Sequence, residues 1–103
     1  MNAGRELDAE IAEEVMGWTP RGAHPIHGCP MFATGSNDTF APYFSTDIAA
    51  AWQVVQKMGE SCDQATIEVC GGEWMCEFDG VGDQAHTAPL AICLAALKAV
   101  GDA

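Results

Sequence analysis

Between residues 4 and 16 (GRELDAEIAEEVM), Leu7, Ile11 and Val15 recur every fourth position, while Glu6, Glu10, Glu13 and Glu14 fill the other faces. That spacing predicts an amphipathic helix over 4–16. Gly17 is the expected stop, with Trp18 folding back over the helix end. Two later stretches are different in kind. Residues 48–58 (IAAAWQVVQKM) contain one charged side chain, Lys57, and residues 88–100 (APLAICLAALKAV) also contain one, Lys98. Segments of helical length that are apolar nearly all round cannot both face water, so they belong in the core or against a partner chain. Ser45-Thr46-Asp47 supplies N-cap chemistry for a helix over 46–58, and Thr87-Ala88-Pro89 opens one over 88–100 that Gly101 ends. In the second helix Ile48, Trp52 and Val55 form one stripe, and the alanines around it leave little polar surface. This helix is expected to be covered on more than one side.

Residues 65–78 alternate instead. With Gly71-Gly72 as a two-residue turn, Val69 faces Trp74, Ile67 faces Cys76 and Ala65 faces Phe78. This register gathers six apolar side chains on one face and puts Thr66, Glu68, Cys70, Glu73, Met75 and Glu77 on the other; a slip by one residue would scramble both sets. A third strand is expected near 82–86, completing a meander over 64–86. No period holds from 19 to 44, where four prolines and three glycines break any regular element. We expect a long loop there, with short strands around 31–33 and 42–44, acting as a mobile or functional segment. The fold class that results is α+β: one domain over 1–103, with a small antiparallel sheet of three or four strands packed against three helices.

Composition narrows the partners. The 103 residues include 15 acidic and 4 basic side chains, for a formal net charge of -11. A surface for nucleic acid or anionic membrane needs clustered Lys and Arg, so neither is an expected partner. The apolar run at 88–100 falls short of the roughly 20 residues needed to cross a bilayer. The first residues lack the basic start and apolar middle of a signal peptide, which leads us to expect a cytoplasmic chain.

Five cysteines, Cys29, Cys62, Cys70, Cys76 and Cys93, form no CxxC pair and are odd in number. Reduced core thiols are the expected state, with no cofactor. His24, His27 and Cys29 form an HxxHxC pattern, but zinc needs about four ligands and no second pair follows. A hydrolase with Cys29 or Cys93 as nucleophile and His86 as base is the enzymatic alternative, set against burial that would keep Cys93 inert. The carboxylates Glu68, Glu73, Glu77 and Asp79 fit a solvated sheet face better than a metal site. The starts of the second and third helices offer a different chemistry. Free N–H groups at Ser45-Thr46 and at His86-Thr87 could hold an anion without lysine. Tyr43 or Trp18 would stack on a base, and Arg21, His24 or His27 from the loop would add positive charge.

Three stretches resemble one family. AGRELDAEIAEEVMGW at 3–18, PYFSTDIAAAWQVVQKM at 42–58 and HTAPLAICLAALKAV at 86–100 are similar, in that order, to the phage ABA sandwich domain proteins. Where that family often carries a basic residue this chain has Leu94. The resemblance implies a compact α/β sandwich made by a phage and working in the host bacterial cytoplasm; it brings no catalytic mechanism. The leading expectation is a non-enzymatic accessory protein that binds a small anionic ligand, a nucleotide-type host defence signal, through Trp18, Arg21, His24, His27, Tyr43, Ser45, Thr46, His86 and Thr87. The alternative is a homodimer or higher oligomer without a small ligand, assembled through the apolar helices and weakened by Leu94→Arg.

Overall fold

The computed structural model describes residues 2–23, 26, 30–34 and 37–101. In chain order the elements are α1 (Arg5–Glu10), which runs straight into a π-helical turn (Ile11–Val15), then β1 (Thr19–Ala23), β2 (Pro30–Thr34), β3 (Asn37–Phe40), α2 (Ile48–Met58), β4 (Ala65–Cys70), β5 (Glu73–Phe78), β6 (Val81–Ala85) and α3 (Ala88–Gly101). The class is α+β, as the patterning implies. It has two three-stranded antiparallel sheets, β1-β2-β3 and β4-β5-β6, where one was expected.

The difference lies in the segment read as a loop. Two of its prolines stand within strands without breaking them, because they sit where no ladder N–H is needed. Pro20 is on the edge strand β1, and Pro30 is the first residue of β2. Irregular register between Pro20 and Ala23 absorbs the rest of the mismatch. The strand expected near 31–33 is present as part of β2. The one expected at 42–44 is a turn instead: the Tyr43 carbonyl accepts from the N–H of Thr46 at 3.2 Å and of Asp47 at 2.8 Å.

The hairpin follows its predicted register residue for residue, with Val69 opposite Trp74, Ile67 opposite Cys76 and Ala65 opposite Phe78. Gly71 and Gly72 both hold positive φ, 62° and 84°, the conformation that a two-residue turn matched to strand twist demands. At Gly82 the reason for glycine is space. A Cβ there would run into the Cys76 carbonyl and the Glu77 backbone on the neighbouring strand. The apolar face is buried unevenly: Cys76 and Phe78 are sealed, Ile67 and Trp74 half-buried, and Val69 exposed.

The central element is α3. It packs against β5 and β6 on one side and against α2 and the π-helical turn on others. Ala91, Ile92, Cys93, Ala95 and Ala96 are buried, and Leu90, Leu94, Leu97 and Val100 pack against the same core. Much of the surface expected to drive assembly is therefore covered within the chain. α2 corrects its expectation as well. Its buried residues are Ala50, Ala51, Val54 and Met58, whereas Ile48 and Trp52 remain half exposed. Small alanines let the helices approach closely, so the contact forms on that side and the larger stripe turns outward.

One polar network fastens the N-terminal helix to the segment before α2. Asp8 is fully buried. Its Oδ1 accepts from the Ser45 N–H at 2.8 Å and the Ser45 hydroxyl at 2.6 Å, and its Oδ2 accepts from Arg5 Nη1 at 3.0 Å. The Gly4 N–H donates to Ser45 Oγ at 3.0 Å, and Arg5 Nη2 donates to the Ala41 carbonyl. The guanidinium also lies 4.3 Å from the centroid of the Tyr43 ring. Burying a carboxylate is costly unless its oxygens are satisfied, and here both are. Asp8→Ala strands two Ser45 donors and the Arg5 cation. It should lower unfolding free energy by about 2–4 kcal/mol in urea melts, discounted for the partial exposure of Arg5. A loss below about 1 kcal/mol, the scale of an exposed ion pair, would show the network to be incidental.

Candidate functional site

Because α2 meets α3 through its alanine side, its outer stripe stands away from the β4-β5-β6 sheet and a groove opens between them. Ile48 and Trp52, one helical turn apart, form one wall. Ile67 of β4 and Trp74 of β5, diagonal neighbours on the apolar sheet face, form the other. His86, Thr87, Ala88 and Pro89 close one end where α3 begins, and Ile92 contributes from the next turn. The volume is about 520 Å³. Among the described residues no carboxylate lines the groove, although the chain has 15 acidic residues. Besides the indole N–H groups of Trp52 and Trp74, the polar side chains are the Thr87 hydroxyl and the His86 imidazole, whose Nδ1 lies 3.8 Å from Glu73 Oε1 at the surface.

Among the described residues, only His86 and Thr87 of those expected to hold an anion line this groove. Trp18 packs its ring against Phe44, centroids 5.9 Å apart, and Tyr43 carries the Arg5 guanidinium. Ser45 is committed to Asp8 and does not cap a helix; the cap of α2 is Asp47, which accepts from the Ala49 N–H at 3.1 Å. Thr46 is exposed in the preceding turn. Arg21 is on β1, 3.5 Å from Asp38. His24, His27 and Cys29 lie outside the described residues. The helix starts are closed by their own residues: Asp47 brings a negative charge to one, and at the other Thr87 Oγ1 accepts from the Leu90 N–H at 3.4 Å while Pro89 has no N–H. Neither helix start is a bare end: each has a side-chain cap, and the groove beside them brings together His86 and Thr87.

Trp52, Trp74, Ile48 and Ile67 were assigned to the core by their periodicity. The signal that could have exposed them is an excess of apolar faces. Ala50, Ala51 and Val54 already provide α2 with an inward side, so the Ile48–Trp52 stripe had no second layer to meet.

Other chemistry recedes. Among the described residues no group of three or more His, Cys, Asp or Glu side chains is arranged to hold a metal ion. The Asp79 carboxylate is occupied by the N–H groups of Asp63 and Gln64 at 3.0 and 2.9 Å, a turn contact. Burial pushes the Cys93 thiol up from 9.0 to about 12, aided by the Asp8 carboxylate and Cys76. Burial and Glu77 push Cys76 up to about 11. Both therefore stay protonated and unreactive at neutral pH. No helix among the described residues is long and apolar enough to cross a membrane.

The family model for the phage ABA sandwich domain matches residues 9–97. Among solved structures, a phage protein from Bacillus cereus ATCC 14579 is similar, with 25% sequence identity and a TM-score of 0.68 over 95% of this chain and 91% of that one. No curated protein matches the chain.

The buried thiols set an alkaline limit. A thiol whose folded pKa lies above its unfolded value favours the folded state fully below pH 9.0, and that contribution falls as pH rises toward about 11 for Cys76 and 12 for Cys93. Urea midpoints should decline above pH 9 more steeply in the native protein than in Cys76→Ala/Cys93→Ala. In native alkylation, exposed Cys70 and half-buried Cys62 should react, and Cys76 and Cys93 only after denaturant is added. Equal rates for all four, or parallel alkaline declines in the two proteins, would contradict this.

Proposed function

The chain belongs to the phage ABA sandwich domain family, and on that premise we propose that it is a non-enzymatic phage accessory protein that binds a small nucleotide-type ligand by its base. The observation that carries this reading is the groove with Trp52 and Trp74 in its walls and no carboxylate in its lining. Its volume falls within the range of about 300–1,000 Å³ typical of small-ligand sites, which are mostly apolar with a few placed polar groups. Stacking of a base on an aromatic side chain contributes about 1–3 kcal/mol, and two tryptophans offer two such surfaces.

Charge sets the ligand's orientation. A net charge of -11 repels anions at long range, so affinity must come from the ring rather than the phosphates. The base enters the apolar interior, and the phosphates stay at the mouth near the exposed Thr87 and His86 side chains. Binding without turnover fits the state of three of the described candidate nucleophiles. Cys76 and Cys93 are buried and protonated, and the Ser45 hydroxyl is bonded to Asp8. The use we assign to such binding, in a protein of phage origin, is sequestration of a nucleotide-type signal of host defence.

Calorimetry against a panel of cyclic and ADP-ribose-type nucleotides should find at least one micromolar binder. Trp52→Ala and Trp74→Ala should each weaken it by about tenfold or more, in line with the loss of one stacking surface. Arg21→Ala, on the other sheet, should leave affinity unchanged, and circular dichroism should show every variant folded. Absence of any binder in the panel, or binding indifferent to both tryptophan substitutions, would overturn the reading.

A further inference from the structure

The outer edge of β4 is the least protected strand edge in the molecule. Among the described residues, β4 pairs only with β5, and no backbone bond reaches its other side. Open edges recruit further strands unless proline, lysine, a bulge or shortness prevents it. Of the other edges, β1 has Pro20 and an irregular register, β3 is four residues long, and β6 carries the exposed charge of Asp83 and packs against α3. β4, ATIEVC, has no proline, lysine or bulge, and its one charge is Glu68. Its six pairs with β5 run without a bulge, and its centre is β-branched Thr66, Ile67 and Val69. Val69 stands 61% exposed, an apolar side chain left at the rim of the sheet.

We infer that β4 pairs antiparallel with β4 of a second copy, joining two β4-β5-β6 sheets into one six-stranded sheet across a two-fold axis. A second copy fits because the edge is complementary to itself once the register is chosen correctly. Residues opposite one another in an antiparallel pair share a face, so the axis must pass through a residue and not between two. An axis at Glu68 would oppose two like charges and is disfavoured. An axis at Ile67 sets Ile67 against Ile67 of the partner subunit, Val69 against Ala65 of the partner subunit, and Glu68 against Thr66 of the partner subunit. Every contact on the inner face is then apolar, and the one charged residue meets a hydroxyl. Because Ile67 also lines the aromatic groove, this axis brings the two grooves into line across the dimer. The inference stands on the strand edge alone, so its test is run without nucleotide and its outcome is separate from ligand binding.

Sedimentation of the wild-type chain should give twice the 10.9 kDa subunit mass, dissociating on dilution. Thr66→Lys should tighten the dimer by facing Glu68 of the partner subunit, and Thr66→Glu should loosen it, each by about three- to tenfold across the two symmetric pairs. Thr66 also lies opposite Glu77 within the chain, so circular dichroism must confirm that both variants fold. Hydrogen exchange on the wild type supplies a second readout: amides of β4 should gain protection as concentration rises, and those of β1 should not. A monomer at every concentration, a dimer indifferent to both substitutions, or binding of the edge to an unrelated peptide without self-association would overturn the inference.

Discussion

Burial of α3 is the constraint on which the rest of the structure depends. A fourteen-residue helix with one charged side chain needs covering on almost every side, and the chain provides it from three directions: the β5–β6 face, α2 and the π-helical turn. Burying a Leu- or Ile-sized side chain contributes roughly 1.5–3 kcal/mol, so each covering element gains its place by what it removes from water. Alanines at 91, 95 and 96 bring those elements close, while Ile92 and Cys93 fill the space between them.

The groove follows from the same packing. α2 has two apolar sides, and contact with α3 uses the alanine side. The hairpin face likewise has more apolar length than α3 can cover, so its sealed half is Cys76 and Phe78 and its open half is Trp74, Ile67 and Val69. Where the two unused surfaces face each other, beside the first turn of α3, an uncharged aromatic cleft remains. The Asp8–Ser45–Arg5 network acts on the segment just before the groove wall. By fixing the chain just before α2, it anchors the segment from which that helix departs.

Much of the fold was legible in the sequence, because local patterns of period two and period four have a single physical reading. The 65–78 hairpin was recoverable in register, since Gly71-Gly72 and the alternating face agree. The segment from 19 to 44 was not, because prolines at a strand edge and at a strand start look the same in sequence as prolines that break strands. The cap of α2 was missed for a related reason, whereas Thr87 opens α3 as expected. Ser45, Thr46 and Asp47 are all capable caps, and only the position of buried Asp8 decides that Ser45 is used elsewhere and Asp47 takes the role. The site was legible at one end, through His86 and Thr87. Trp52 and Trp74 were hidden because an apolar stripe reads as core until the number of covering layers is known.

In the proposed complex the half-exposed Trp52 and half-buried Trp74 of the groove meet the ligand, and the capped helix ends do not. The three indole N–H groups report on this directly, since Trp18 lies against Phe44 while Trp52 and Trp74 line the groove. A ¹⁵N–¹H correlation spectrum recorded during titration with cyclic and ADP-ribose-type nucleotides should show the Trp52 and Trp74 indole resonances moving together and that of Trp18 holding still. Movement of Trp18 alone, or no movement of any indole across the panel, would contradict it.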